Sequence, residues 1–280
     1  MSKTKDQLLL DYRKSNKERR NRTVAKAGFS TEAEYLAYLM QPDVSAGSPA
    51  AAALFAHNTP KVEEKPTIHN VYIIDISGSM GGARIKAAMA GVNGELDLLK
   101  KDDAVNYTQT IVEFSGYDHI RCNMYKVPIK EVGTFKTSVV GSTALNQAIG
   151  ETIERLRTDQ KKDSEGNYEK VLVKIFTDGG ENDSQGIYSP YKGGNQVISR
   201  LISTSEGEGF TVTFVGTEQD VKYVVNNLHV DFSNTLSHDN TERGIGQSFL
   251  LSAGATVEYA AKVLRKEDVK RGFYKTIKTK

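Results

Sequence analysis

The fold is decided by two short apolar stretches, VYIIDISGSM at Val71 to Met80 and KVLVKIFTDGG at Lys170 to Gly180. Each is rich in Val and Ile and ends in Asp, Ser or Thr followed by glycine. A short apolar run with few polar interruptions is typical of a strand buried on both faces, as in a parallel sheet. Both stretches are therefore predicted to be central strands. In open parallel sheets ligands bind beyond the carboxyl ends of the strands, which is where Asp75 and Asp178 lie.

Five oxygen-bearing side chains at this edge of the sheet are candidate metal ligands. They are Asp75, Ser77, Ser79, Thr143 and Asp178. The first three alternate within one turn, and Gly78 allows the backbone to reverse there. Thr143 in GSTAL and Asp178 in TDG supply the completing oxygens. Mg²⁺ coordinates six oxygens at about 2.0 to 2.1 Å and accepts water at several positions, so hydroxyls and carboxylates from several loops suit it.

Two other interpretations of the DISGSM stretch are open. Asp and Ser are frequent helix caps, so the stretch alone could be a turn that caps the helix starting near Arg84. Alternatively, GSMGG could bind a phosphate group at a helix N-terminus. The stretch lacks the Lys-Ser/Thr pair of a P-loop and the spacing of a dinucleotide fingerprint. Thr143 and Asp178 supply further oxygens from two later loops, in register with the turn at Asp75. The metal site is therefore favoured, because separate parts of the sequence support the same interpretation.

The motifs DISGSM, GSTAL and FTDGG, in this order and between alternating strands and helices, resemble those of the von Willebrand factor type A domain. The resemblance covers about residues 70 to 264. It implies that the five candidate ligands form a metal-ion-dependent adhesion site for Mg²⁺ or Mn²⁺, and that another protein supplies a carboxylate to the open coordination position. The stretches DISGSMGGARI and GVNGELDLLK look like those of intracellular bacterial and phage members, including members associated with tellurium resistance.

The remaining pattern predicts an α/β fold, a doubly wound and mostly parallel sheet with helices on both faces, plus a small N-terminal helical segment. A strand hairpin at a sheet edge is predicted from 104–114 and 120–127, and a final helix at 245–264 is predicted to be interrupted at Gly254. The predicted divisions of the chain are a basic helical head at 1–40, a flexible linker at 41–68, the type A domain at 69–264 and a basic tail at 265–280.

Positive charge is concentrated at the ends of the chain. Residues 1–27 contain nine Lys or Arg and three Asp or Glu, although the net charge of the whole chain is only +2. We expect the head to be a solvated or partner-docking helix, and nucleic-acid binding through residues 1–40 is the alternative. In the tail, Phe273 and Tyr274 are expected to anchor to a partner, unless the tail is a frayed terminus.

Composition narrows the functional classes. The chain has 280 residues with 38% apolar content, which is enough for a full core. Its one cysteine, Cys122, excludes an internal disulfide and is expected to be a small core residue. The histidines show no paired metal spacing, which argues against a zinc cluster. With no signal-sequence or membrane-span pattern, we expect a cytoplasmic protein with no membrane partner.

These residues favour a metal-dependent protein-interaction module within an intracellular multiprotein assembly. We expect no enzymatic activity, because no nucleophile and base pair can be assembled from the motif positions. A metal-dependent phosphohydrolase is one alternative, since two carboxylates near one metal are its minimum, but a general base is missing. A nucleic-acid-associated scaffold acting through the basic head is another. Glu181 to Asp183, which follow Asp178, are expected to be solvated.

Overall fold

The computed structural model describes residues 11, 22–24, 31, 35–36, 65–162 and 166–275. The chain divides into two compact units, 1–63 and 64–280. In the first unit, residues 22–24 and 35–36 are helical. The rest of the predicted head, and the predicted linker up to residue 64, lie outside the described residues. The division of this region into head and linker therefore stays a prediction, except that the predicted linker bound of residue 68 is wrong, because Thr67 and Ile68 belong to the first strand of the sheet.

The second unit alternates strands and helices. Its described strands are β1 (Thr67–Asp75), β2 (Asn106–Phe114), β3 (Ile120–Pro128), β4 (Lys170–Phe176), β5 (Phe210–Gly216) and β6 (Thr235–Ser237). Its described α-helices are α1 (Ala83–Leu99), α2 (Leu145–Thr158), α3 (Gly194–Gly207), α4 (Glu218–Asn227) and α5 (Glu242–Leu264). The strands form one sheet in the order β3-β2-β1-β4-β5-β6, in which the β2–β3 pair is antiparallel and every other pair is parallel. The predicted doubly wound, mostly parallel α/β fold is confirmed. None of the described helices has the length and apolar content needed to cross a membrane.

Helices cover both faces of the sheet. On one face α1 and α5 share an apolar cluster with the strands, which includes Ile74, Val92 and Phe249. On the other face α2, α3 and α4 form a second cluster, which includes Ile73 and Ile153. β1 and β4 are buried along almost their whole length because they lie in the middle of the sheet, as their apolar runs predict. The strand order reverses between these two strands, which opens a crevice at their carboxyl ends.

The edge hairpin forms as predicted, whereas Cys122 and the last helix differ from the prediction. β2 and β3 form the predicted antiparallel hairpin at the sheet edge. Cys122 is exposed on β3, so the expectation of a core residue is wrong; the outermost strand is largely open to solvent. α5 continues through Gly254 without interruption, because packing along a long helix outweighs the intrinsic cost of one glycine, which is about 1 kcal/mol.

The predicted basic tail is part of the compact unit. Val269, Phe273 and Tyr274 are buried in the apolar cluster that α1 and α5 form with the sheet. The Tyr274 hydroxyl also donates to Ser252 Oγ of α5 at 3.1 Å. The expectation that Phe273 and Tyr274 anchor to a partner is therefore wrong, since both aromatic rings fill this chain's own core. The domain continues past residue 264, at least to residue 275.

A buried ion pair joins the centre of the sheet to the helices on one face. Lys174 of β4 and Glu95 of α1 both have side chains that are inaccessible to solvent, and the ammonium group donates to the carboxylate. The Tyr72 hydroxyl donates to the second Glu95 oxygen at 2.5 Å. Thr256 of α5 donates to Glu95 Oε1 at 3.1 Å. Burial lowers the pKa of Lys174, and the neighbouring Glu95 opposes this shift. The network therefore connects β1, β4, α1 and α5.

Lys174→Met is expected to lower the free energy of unfolding by about 3 to 5 kcal/mol, because it leaves the Glu95 carboxylate buried without its counter-charge. Equilibrium denaturation in urea measures this change. Lys222→Met is the matched control, since it removes an exposed ion pair with Glu218 and should cost less than about 1 kcal/mol. Equal effects of the two substitutions would contradict the role assigned to the buried pair.

Candidate metal centre

The reversal of strand order brings the ends of β1 and β4 together. Asp75 is the last residue of β1, and Asp178 follows the last residue of β4 by two positions. Thr177 lies between β4 and Asp178, and its hydroxyl donates to Asp75 Oδ2 at 2.5 Å. The Thr177 backbone amide donates to the Val215 carbonyl of β5. The two predicted carboxylates therefore lie at the same edge of the sheet, and a hydroxyl connects the loop after β4 to β1.

The turn after β1 places both predicted serine hydroxyls against the carboxylates. The Ser77 amide donates to Asp75 Oδ1 at 2.7 Å, which closes the turn. Gly78–Met80 form a short 3₁₀ turn, and this turns Ser79 back toward Ser77, so that the two Oγ atoms lie 2.9 Å apart. Ser79 Oγ then donates to Asp178 Oδ1 at 2.5 Å. A chain of polar contacts thus runs from Asp75 to Asp178.

The loop before α2 is fastened to this turn by backbone hydrogen bonds. The Val140 amide donates to the Ile76 carbonyl at 2.7 Å, and the Gly78 amide donates to the Gly141 carbonyl at 3.0 Å. Gly141 has φ of +72°, a left-handed conformation that glycine adopts without the steric cost of a side chain. This backbone geometry carries Thr143, two residues later, to the Asp75 turn.

Glu181 to Asp183 lie in the loop after β4 and form hydrogen bonds with the loop that precedes α2. The Thr143 amide donates to Asn182 Oδ1 at 3.0 Å, and the Thr143 carbonyl accepts from the amides of Asn182 and Asp183 at 3.0 and 3.1 Å. Glu181 Oε2 accepts from the Asn146 amide in the first turn of α2 at 2.7 Å. The expectation that these residues are simply solvated is wrong. They hold Thr143 in place, a role that depends on a neighbouring loop about 40 residues earlier in the chain.

Three of the candidate ligands face one small open space beside Gly179. A Cβ atom added to Gly179 would lie 3.2 Å from both Ser79 Oγ and Thr143 Oγ1, and 3.6 Å from Asp75 Oδ2. Glycine leaves this space open, while oxygens from two other loops point toward it. Ser77 and Asp178 contact Ser79 directly. The structure therefore brings all five predicted residues together.

Burial dominates the electrostatics of Asp75. It raises the pKa of this carboxyl to about 6, and the negative charge of Asp178 adds to the increase. Hydrogen bonds from Thr177 and Ser77 act in the opposite direction but do not cancel the effect of burial. The ionised form of Asp75 is therefore under-stabilised at neutral pH, and a cation beside it would stabilise that form.

Asp178 has a buried oxygen without a hydrogen bond at the same place. Its side chain is fully buried, and Oδ2 has no hydrogen-bond partner in the described residues. Arg84 at the start of α1 forms an ion pair with it, with Nε 3.4 Å from Oδ2. The sequence interpretation missed Arg84 and Thr177. Thr177 directly precedes Asp178, so its position was a usable signal, whereas nothing in the sequence around Arg84 indicates a contact 94 residues away.

The set of donors fits a small hard divalent cation. Carboxylate and hydroxyl oxygens are ligands that suit Mg²⁺ and Mn²⁺. The buried Asp178 oxygen that lacks a donor and the open space beside Gly179 are local features that a cation would satisfy. Within the described residues no three His, Cys, Asp or Glu side chains are grouped to hold a metal. The hydroxyls of Ser77, Ser79 and Thr143 are therefore needed to complete any such site.

The chain resembles known proteins over part of its length. No family model matches the chain. Over 144 residues it is 28% identical to the human voltage-dependent calcium channel subunit alpha-2/delta-2, a stretch that covers 49% of this chain and 12% of that protein. Structural neighbours include a von Willebrand factor type A domain. This one, from Catenulispora acidiphila, is 16% identical with a TM-score of 0.47, and the match covers 69% of this chain and 43% of that chain.

The pilus adhesin SpaC from Lactobacillus rhamnosus GG is similar in structure, with 14% identity and a TM-score of 0.51 over 69% of this chain and 30% of that chain. An identity this low shows the fold alone. The matched region is less than half of each of these three proteins. Their activities and partners are therefore not evidence about this chain.

Asp75→Asn is expected to stabilise the metal-free protein at pH 7.5 by about 2 kcal/mol, because it removes a buried charge. The folded-state pKa of about 6 lies above the ordinary value of 3.8, so the native protein loses stability as pH rises through this window. The advantage of the variant should therefore shrink toward pH 4. Urea denaturation in EDTA across this pH range measures it.

Asp97→Asn, at an exposed position on α1, is the control and should show almost no pH-dependent difference from the wild type. A variant Asp75→Asn that is less stable than the wild type at every pH would contradict the interpretation, because it would mean that the charge is well compensated without a cation.

Proposed function

We propose that this chain is a divalent-cation-dependent protein-interaction module. Asp75, Ser77, Ser79, Thr143 and Asp178 would hold Mg²⁺ or Mn²⁺ at the carboxyl edge of the sheet. A partner protein would then supply a carboxylate as a further ligand. The observation that carries the proposal is the convergence of oxygens from three loops on the open space beside Gly179.

The hydrogen-bond directions in the site support a cation there. Ser79 Oγ donates its only proton to Asp178 Oδ1 and therefore accepts from Ser77 Oγ, which leaves one Ser79 lone pair to face the open space. Thr177 donates to Asp75 Oδ2 and the Ser77 amide to Asp75 Oδ1. These contacts fix the orientation of the carboxylate. The side chains are thus oriented before a cation binds, which lowers the entropy cost of binding.

The balance of charge favours an acidic group on the partner. Three of the five proposed ligands are neutral hydroxyls, and Arg84 already offsets part of the charge of Asp178. When bound, a divalent cation would supply an electrophilic coordination position to an oxygen ligand from outside the chain. A carboxylate of a partner fits this requirement in both charge and hardness.

Exposed apolar side chains in the loops around the site favour a protein as the partner. Tyr117 and Val140 are 50% and 44% exposed. Val140 precedes the glycine that binds the Asp75 turn, and the Tyr117 amide donates to Asp183 Oδ2 at 3.1 Å. Aromatic and aliphatic groups around a polar centre are typical of protein interfaces, whereas a phosphate site needs additional cationic donors.

Isothermal titration with Mg²⁺ and with Mn²⁺ tests the cation site directly. The wild type is expected to bind one cation with a measurable heat, and Asp75→Ala and Thr143→Ala are expected to reduce or abolish binding because they remove ligands. Asp118→Ala removes an exposed carboxylate outside the ligand set and is the matched control. Unchanged binding in Asp75→Ala would refute the proposed site.

A second experiment tests the partner. The immobilised chain is incubated with lysate in Mg²⁺ and then eluted with EDTA. We expect specific proteins to elute from the wild type but not from Asp75→Ala. The double variant Tyr117→Ser with Val140→Ser should lose the same proteins yet keep its heat of Mg²⁺ binding, because its ligands are intact.

Identical eluates from all three baits would contradict the interaction module.

We also propose that the chain is not an enzyme. Mn²⁺-dependent phosphoester hydrolysis that disappears in Asp178→Ala would contradict this proposal. The bacterial or phage subgroup, the cytoplasmic location and nucleic-acid binding by residues 1–40 stay predictions from the sequence.

A further inference from the structure

The outer side of α5 carries an exposed apolar stripe. In the described residues ten large apolar side chains are exposed, and four of them lie on this one helix. Leu250 is 74% exposed, and Leu251, Val257 and Leu264 are between 38% and 44% exposed. A helix that only covers a sheet normally presents polar residues to solvent. The stripe is therefore not explained by the packing of the domain.

The spacing along the stripe is that of a helix–helix seam. Leu250, Gly254, Val257, Ala261 and Leu264 follow one another at intervals of four, three, four and three residues. Such a repeat keeps the residues on one side of a helix and is the pattern that paired helices use. Large and small residues alternate along it. A Cβ atom added to Gly254 would meet no atom within 4 Å, so open space lies above this position.

The opposite side of α5 already has its partners. Phe249 stacks on Phe176 of β4, with ring centres 4.0 Å apart, and a Cβ atom added to Gly91 of α1 would lie 2.3 Å from Phe249 Cβ. Thr256 belongs to the buried network around Glu95. The inward face thus makes the contacts that hold α5 against α1 and the sheet. The outward face is left exposed on a continuous helix.

We propose that this stripe, Leu250 to Leu264, binds the same stripe of a second copy of the chain in an antiparallel arrangement. Two features of the stripe favour a second copy over an unrelated helix. One is the alternation of large and small residues, and the other is the order of charges along its edge.

The alternation makes the stripe complementary to itself. If a two-fold axis crosses the stripe level with residue 259, Leu264 faces Gly254 of the second copy and Val257 faces Ala261 of the second copy, while Leu250 lies just beyond the end of the second helix. Every large side chain in these layers then meets a small one. Such layers let the two helices approach to about 8 Å with their side chains interdigitated. A parallel arrangement would instead oppose Leu to Leu and glycine to glycine, leaving gaps.

The charges fit the same arrangement. Glu258 and Arg265 lie seven residues apart along one edge of the stripe, where they form an ion pair within the chain at 3.2 Å, and both side chains are about half exposed. Antiparallel helices place this edge against the same edge of the second copy, running in the opposite direction. Helical side chains lean toward the N-terminus, so Glu258 approaches Arg265 of the second copy. The symmetry repeats this contact, giving two opposite-charge pairs.

The neighbouring helix α1 widens the apolar surface. Leu98 is 40% exposed, and a Cβ atom added to Gly94 would meet no atom within 4 Å. Leu98 lies seven residues after Gly91, the residue of α1 that lies against Phe249 of α5, so it shares the side of α1 that faces α5. A dimer formed through α5 would therefore also cover part of α1, adding to the apolar area that stabilises it.

Sedimentation velocity of the full chain over about 1 to 100 µM tests the proposal. The wild type is expected to reach twice the chain mass of 30.8 kDa. Val257→Asp places a charge at the centre of the seam and should weaken the dimer by at least about a hundredfold. Ile187→Asp, at a position that is 61% exposed outside α1 and α5, is the matched control and should leave the dimer unchanged.

A charge-exchange experiment tests the antiparallel arrangement independently. Glu258→Arg and Arg265→Glu should each weaken self-association by about threefold to tenfold, because each sets like charges against each other across the interface. A mixture of the two variants should form a mixed dimer, since each interface pair is again of opposite charge. The ion pair within each chain stays broken in both variants, so the recovery reports only contacts between copies.

A wild type that remains monomeric at about 100 µM would overturn the proposal and leave the stripe to a different protein. A dimer that is equally sensitive to Ile187→Asp and Val257→Asp would place the interface elsewhere. A mixture that associates no better than the single variants would overturn the antiparallel arrangement, even if Val257→Asp fails to fold.

Discussion

The burial of one carboxylate between the ends of β1 and β4 is the constraint on which the site depends. Asp75 is inaccessible to solvent, and a carboxylate removed from water is unfavourable unless donors or a cation replace the water. The Ser77 amide and the Thr177 hydroxyl provide two hydrogen bonds, yet the pKa of Asp75 still rises to about 6. This incomplete compensation is the physical reason to expect a cation at this edge of the sheet.

The same constraint explains why so much backbone structure surrounds a small set of side chains. Hydroxyl oxygens are neutral and bind cations weakly, so they contribute only when the backbone holds them in position before binding. Gly141 bends its loop toward the Asp75 turn, and Asn182 fixes the backbone of Thr143 on both sides. Gly179 leaves the space between them open. Each of these residues acts on the site through geometry and carries no charge.

Sequence patterns predicted the sheet and the five clustered residues because both follow from local signals. An apolar run that ends in Asp and glycine defines a buried strand and its loop, and the topology of parallel strands then brings such loops together. Arg84 could not be predicted, since its contact with Asp178 depends on how α1 sits over a distant loop. Phe273 and Tyr274 were misjudged because their basic neighbours resemble a solvated tail, whereas burial depends on the space that α5 leaves above the sheet.

The inner side of α5 packs in the core of the domain, whereas the apolar residues on its outer side have no role in that packing. On the inner side, Phe249 and Thr256 meet specific partners in the core, and changing them would disturb the sheet. On the outer side, Leu250 is 74% exposed and contributes little to the stability of a single copy, because exposed apolar surface gains almost nothing from folding. Scattered apolar residues on a surface need no explanation. Leu250, Val257 and Leu264, however, recur every seven residues and alternate with Gly254 and Ala261, which is an ordered pattern. Such order is expected where a second helix must approach closely, and it has no role in a helix that faces only water.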